Sequence, residues 1–249
     1  MADRTAAALL EADGLGKAFG RTVVLQAASF SARPHTITAL MGRNGSGKST
    51  MLKICVGLVR ADHGRVLWQG RFLARPRLHE MAREGLFYSD QDAALTPHFT
   101  VRDHLAAFAR VYDRGDEVDA VVERLQLAEF IDRRPKGLSG GERQRSSLAL
   151  AALRDPHCLL MDEPFAGVAP IDRPLIARGL EDLRERGCAV VISGHDIEDV
   201  FAVADEVVWV TSGTTHDLGS PEHAAAHPQF RREYLGSRVP PSSHGTAGA

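Results

Sequence analysis

Thr36-Ile37-Thr38-Ala39-Leu40-Met41-Gly42-Arg43-Asn44-Gly45-Ser46-Gly47-Lys48-Ser49-Thr50 is an apolar run that breaks into a glycine-rich turn and closes on Lys-Ser-Thr. Residues 36–41 read as a buried strand, and the chain from Lys48 onward as the start of a helix. The turn between them fits G-x-x-x-x-G-K-[ST], a spacing at which small residues let successive N–H groups face an anion. The helix N-terminus adds its partial positive charge. Lys48 can then reach the β- and γ-phosphates of a nucleotide, and the Ser49 hydroxyl can ligate Mg²⁺. Gly42, Arg43, Asn44, Gly45, Ser46, Gly47, Lys48, Ser49 and Thr50 are therefore the expected phosphate-cradling loop. The bland reading is a Gly-rich turn before a helix, and the strand and helix in the required order disfavour it.

On either side of this loop, Val/Ile/Leu-rich runs alternate with helix-period segments, as in a largely parallel sheet covered by helices. Residues 9–13, 23–31 and 66–69 read as short strands of a small antiparallel layer. From residue 79 to 153 the pattern is mostly helical, with helices over 101–112, 117–127 and 141–153, giving a helical insert over about 92–153. Buried strands follow at 158–161, 189–193 and 207–210, with helices around 173–186 and 197–204 between them. The fold class is α/β, a mostly parallel sheet core with an antiparallel β layer and a helical subdomain insert. One domain over residues 1–235 is expected, with a mobile Gly/Ser/Pro/Ala tail over 236–249.

Composition narrows the options. Apolar residues make up 44% and charged residues 25% of 249, the balance of an ordinary globular chain. With 30 basic against 32 acidic side chains the net charge is −2, so long-range attraction to nucleic acid is not expected. Cys55, Cys158 and Cys188 are widely spaced in apolar surroundings and read as reduced core residues. No apolar run approaches the roughly 20 residues that cross a bilayer, and the first ten residues lack a basic stretch followed by an apolar one.

Cys158-Leu159-Leu160-Met161-Asp162-Glu163-Pro164 is an apolar strand ending in two carboxylates, and strand C-termini are where ligands gather in such sheets. Asp162 suits Mg²⁺, through water, and Glu163 can orient and polarise an attacking water. Ser193-Gly194-His195-Asp196 ends the next strand in the same way and puts the His195 imidazole on that edge, within reach of a γ-phosphate. Each pattern alone has a structural explanation: a solvated acid pair, and a structural histidine. Gln91, after the run Leu86-Phe87-Tyr88, would by itself be a solvated loop residue.

Leu138-Ser139-Gly140-Gly141-Glu142-Arg143-Gln144-Arg145 sets a serine and two glycines at the start of a long apolar helix. It reads as an ordinary helix cap or as a second phosphate grip, with Ser139 as N-cap and free N–H groups pointing outward. Lying between the phosphate loop and the acid strand, it makes the chain resemble the ABC ATPases over about residues 8–235. Residues 162–168, 194–196 and 233–236 look most like the ATPase subunits of lipopolysaccharide export and branched-chain amino-acid import.

The resemblance implies a RecA-like P-loop NTPase core, ATP and Mg²⁺ as cofactors, and a face-to-face pair of cassettes, homo- or heterodimeric. The phosphate loop of one chain would meet Ser139, Gly140 and Gly141 of the other. It implies that Phe19 stacks on adenine, that Gln91 links the γ-phosphate and Mg²⁺ to the transporter contact, and that His195 contacts the γ-phosphate. Separate transmembrane permease subunits would hold the chain at the inner, cytoplasmic face of a membrane and choose the cargo. Two positions depart from the family pattern: Ala169 stands where an Asp usually reaches across the dimer, and Leu150 where the signature helix usually has Arg. With Lys48 and Glu163 intact, hydrolysis is expected to survive with weakened communication between sites. Two alternatives stand beside transport. A soluble ABC ATPase acting on DNA or ribosomes would usually carry zinc-binding cysteine pairs, heptad insertions or a second cassette, and a regulatory module with little turnover is motivated by Ala169.

Overall fold

The computed structural model describes residues 7–91 and 95–234. The expected tail lies outside them, as do residues 92–94 of the insert and Leu235 and Gly236 of the closing stretch. The chain opens with β1 (Leu10–Phe19) and β2 (Thr22–Ala32), an antiparallel hairpin, then β3 (Thr36–Met41) and α1 (Lys48–Cys55). β4 (His63–Trp68) and β5 (Arg71–Leu73) extend the hairpin layer, and α2 (Leu78–Arg83) leads into β6 (Leu86–Ser89). Among the described residues, α3 (Val101–Tyr112), α4 (Val118–Arg124) and α5 (Gly140–Arg154) separate β6 from β7 (Cys158–Met161). The remainder runs α6 (Arg173–Glu185), β8 (Ala189–Gly194), α7 (Ile197–Phe201), β9 (Glu206–Thr211), β10 (Thr214–Gly219), α8 (Pro221–Ala226) and α9 (Pro228–Tyr234).

The ten strands of the described residues join one sheet in the order β5-β4-β1-β2-β10-β9-β3-β8-β7-β6. β9, β3, β8, β7 and β6 are parallel, and the hairpin layer is attached to them through β10, parallel to β2 and antiparallel to β9. The parallel strands are apolar on both faces because helices cover both, and the pleat sorts them. Ile37, Ala39, Met41, Leu159, Met161, Val190 and Ile192 join the core under α3, α5 and α6, whereas Leu40, Cys158, Leu160, Val191 and Val208 join the core under α1 and the hairpin layer.

The strands expected at 158–161, 189–193 and 207–210 form with ends within one residue, and α3 occupies the span expected of it. The stretch read as mostly helical from residue 79 contains β6, the edge strand of the parallel sheet, and that is a correction. Its four residues Leu86-Phe87-Tyr88-Ser89 are too short to show a period, and only pairing with β7 makes them a strand. The three cysteines, distant in sequence, are buried neighbours at the base of the sheet. Burial pushes the thiols of Cys55 and Cys188 up to about 12.

Candidate functional site

The parallel registers bring the carboxyl ends of four strands to one edge. Met41 lies opposite Gly194, Met161 opposite Ile192, and Ser89 opposite Met161. The phosphate loop, the acid pair, His195 and Gln91 all leave the sheet from that edge.

The loop is shaped by its glycines. Gly47, the residue before α1, has φ 106°, and a Cβ there would meet Leu25 Cδ2 at 2.5 Å. A Cβ on Gly42 would come within 2.5 Å of both Ser46 Oγ and the Val210 carbonyl, so this glycine seats the loop against β9. Asn44, Gly45, Gly47, Lys48, Ser49 and Thr50 line a cleft together with Val24, Gln91 and Glu163. Lys48 is only 3% exposed, and its ammonium donates to the carbonyls of Gly42 (2.8 Å) and Arg43 (3.2 Å) and lies 3.6 Å from Glu163 Oε1. Burial lowers the Lys48 pKa, and the carboxylates of Glu163 and Asp162 oppose the shift.

Asp162 accepts from the hydroxyls of Ser49 (3.0 Å) and Ser193 (2.5 Å). The Ser193 oxygen in turn accepts from the Glu163 backbone N–H at 2.9 Å. Glu163 has φ 51°, a left-handed conformation that costs a non-glycine residue about 1–3 kcal/mol. That conformation aims its carboxylate between Lys48 and His195, whose Nδ1 lies 3.2 Å from Glu163 Oε2. Ser193 holds both acids at once, a role that sequence reading left unassigned. Its signal was a buried hydroxyl closing the run Ala189-Val190-Val191-Ile192. Tyr88 is a second unassigned neighbour: its buried hydroxyl has no hydrogen-bond partner among the described residues, and burial with nearby Asp162 and Asp90 raises its pKa.

The donor set fits a hard divalent cation. A serine hydroxyl and a carboxylate 3.0 Å apart, beside a phosphate cradle, offer the few oxygen ligands that Mg²⁺ uses while keeping waters and phosphate oxygens. Gln91 lines the same cleft, so its amide is available to that site.

Two groups of expected site residues lie outside this cleft. Phe19 ends β1 at the hairpin, 51% exposed with the Lys17 ammonium 5.3 Å from its ring centroid; the hairpin's wall of the cleft is Val24. Ser139 is exposed at the start of α5 and does not line the cleft of its own chain. It forms a reciprocal cap: its hydroxyl accepts from the Glu142 N–H at 3.1 Å, and the Glu142 carboxylate accepts from the Ser139 N–H at 2.7 Å. Gly140 and Gly141 are set by close packing. A Cβ on Gly140 would meet the Gly167 carbonyl at 2.7 Å, and one on Gly141 would meet Asp172 Oδ2 at 2.1 Å. Leu150, one of the two departures, is fully buried in the core below α5, and Ala169, the other, is exposed.

The sequence model of the ABC transporter family matches residues 25–166. The lipopolysaccharide export system ATP-binding protein LptB of Haemophilus influenzae is 32% identical over 236 residues, covering 92% of this chain and 98% of that protein. LptB of Escherichia coli K12 is 33% identical over 235 residues with the same coverage. The sulfate/thiosulfate import ATP-binding protein CysA of Yersinia pestis is 35% identical over 239 residues, which are 91% of this chain and 65% of that protein. Among solved structures, the ADP conformation of MJ1267, an ATP-binding cassette of an ABC transporter, superposes with a TM-score of 0.77 at 24% identity, covering 93% of this chain and all of that one.

Proposed function

Because the chain belongs to the ABC transporter ATPases, as the ATP-hydrolysing nucleotide-binding subunit of a transporter, we propose how its own residues do the work. The observation that carries the proposal is a division of labour. Lys48, Ser49, Asp162, Glu163 and His195 converge on one strand edge, while Ser139 stands exposed at a helix start away from that cleft. ATP is gripped by the loop from Gly42 to Thr50 of one cassette and by Ser139 to Gly141 of a second, a copy of this chain or a related one. Phe19 supplies the aromatic surface for the base.

At the γ-phosphate, Glu163 orients a water and takes its proton, and His195 fixes both the Glu163 carboxylate and a phosphate oxygen. Phosphate oxygens replace the Gly42 and Arg43 carbonyls as partners of the Lys48 ammonium. Mg²⁺, when bound through Ser49 and Asp162 with Gln91 nearby, neutralises charge on the β- and γ-phosphates. Closing and reopening of the pair passes through the segment between Gln91 and Val101 to separate membrane subunits. No helix among the described residues is long and apolar enough to cross a membrane. In this reading the membrane subunits hold the chain at the cytoplasmic face. The choice of cargo belongs to the membrane subunits, a reading supported by relatives named for lipopolysaccharide export and for sulfate import that are each about a third identical to this chain.

Lys48→Ala should abolish ATP binding or hydrolysis. Glu163→Gln should keep ATP bound and run as a dimer in size-exclusion chromatography with ATP and Mg²⁺. A Glu163→Gln protein that turned over ATP at the normal rate would remove Glu163 from its assigned role.

A further inference from the structure

The segment after the acid pair lacks the usual Asp at position 169, yet its far end carries two charged side chains that reach in opposite directions within the chain. Asp172 extends toward α5: its Oδ1 lies 3.1 Å from Arg145 Nη2, with the two side chains 14% and 9% exposed. Arg145 is itself fixed, donating to the carbonyls of Leu125 (3.1 Å) and Gln126 (2.9 Å) and resting 4.8 Å from the Phe130 ring centroid. The carboxylate also occupies the space beside Gly141. The signature helix is thereby pinned within two turns of Ser139.

The next residue points the other way. Arg173 Nη1 donates to Asp199 Oδ1 at 2.8 Å, and the Asp199 side chain is 8% exposed on α7. α7 is capped by Asp196, which accepts from the N–H groups of Glu198 (3.0 Å) and Asp199 (3.5 Å) and directly follows His195. Arg173 and Asp199 share the wall of a small cavity with Glu163 and His195. Asp172 and Arg173 thus connect the helix that presents Ser139 to the turn that presents His195.

Resting on the face-to-face reading above, we propose that Asp172 and Arg173 are positioning residues. They tie the signature of one nucleotide site to the histidine of the other within a single chain, and so carry the communication that residue 169 cannot. Neither touches nucleotide. A shift of α5 on closure moves Asp172 with it, and the adjacent Arg173 draws on α7 and the His195 turn.

The test uses the purified full chain and its Arg173→Gln, Asp199→Asn, double and Arg173→Lys variants. ATPase rate is measured against ATP concentration, with ATP affinity and melting temperature alongside. Expected are a kcat at least about fivefold lower in each single variant, the lower end for coupled sites, and a Hill coefficient falling toward 1. ATP affinity should stay within about twofold, the double variant should be no worse than either single, and Arg173→Lys should recover much of the loss. Unchanged cooperativity and rate, additive losses in the double variant, or activity that merely follows melting temperature across the series would each overturn the proposal. So would a wild-type Hill coefficient of 1. A monomeric Glu163→Gln protein with ATP brings down the face-to-face reading and this one with it. A Glu163→Gln dimer alongside an Arg173→Gln variant of normal cooperativity sinks this one alone.

Discussion

Lys48 holds its ammonium in a cleft that disfavours charge, with Glu163 3.6 Å away and two loop carbonyls as partners. Burial is the larger influence and lowers its pKa from the ordinary 10.5. A triphosphate laid against the ammonium favours the charged form and raises that pKa again. ATP binding therefore takes up protons in the window between the depressed value of the free protein and the raised value of the complex, and affinity falls as pH rises through it. Titration calorimetry from about pH 8 to about pH 10, in two buffers of different ionisation enthalpy, should give heats that diverge between buffers as pH rises. Identical heats throughout would contradict the assignment of Lys48 to the phosphates. The residue types of this site were legible in the sequence because each motif fixes a chemistry at a fixed spacing. Ser193, by contrast, carries no motif, and its bridge between Asp162 and the Glu163 backbone exists only where β7 and β8 lie side by side.

Among the elements, α5 has the most to do. Its start faces outward at Ser139, its interior is buried on nearly every side, and Gly141 leaves room for Asp172. Gly141→Ala would set a methyl against that carboxylate, and such overpacking costs about 1–3 kcal/mol. The expected result is a lower melting temperature and an ATPase rate reduced about tenfold or more, equivalent to at least about 1.4 kcal/mol of barrier, with ATP binding by the chain's own phosphate loop retained. An Ala variant of normal rate would show that the helix start tolerates displacement. α3 could be read in advance from its period of 3.6, α5 from a capped start and a long uninterrupted run, and β3, β7, β8 and β9 because each is a continuous apolar stretch buried on both faces. β6 and β10 could not: one is three apolar residues and a serine, the other a polar strand with His216 and Asp217 side by side in water, and neither has a period that excludes other assignments.

At the scale of the whole molecule, the face-to-face pairing proposed above puts two sites in one assembly, and Ala169 stands exposed where an acid would link them. Ala169→Asp should raise the ATPase rate or its cooperativity in ATP by restoring a reach across the pair; no change in either would count against weakened communication as the reason for the departure. The ion pairs of Asp172 and Arg173 are the route proposed for that signal inside one chain. The sequence by itself determined the sheet core and marked where the phosphate loop, the acid pair, the histidine and the signature helix lie, because each is a local pattern of residue types at a fixed spacing. Tertiary structure alone decided which strand edges meet, that Ser193 bridges two acids, that the three cysteines lie close together, and that Asp172 and Arg173 face opposite helices. Those facts depend on contacts between residues far apart along the chain, and the order of residues does not state them until the sheet has closed and the helices have packed on it.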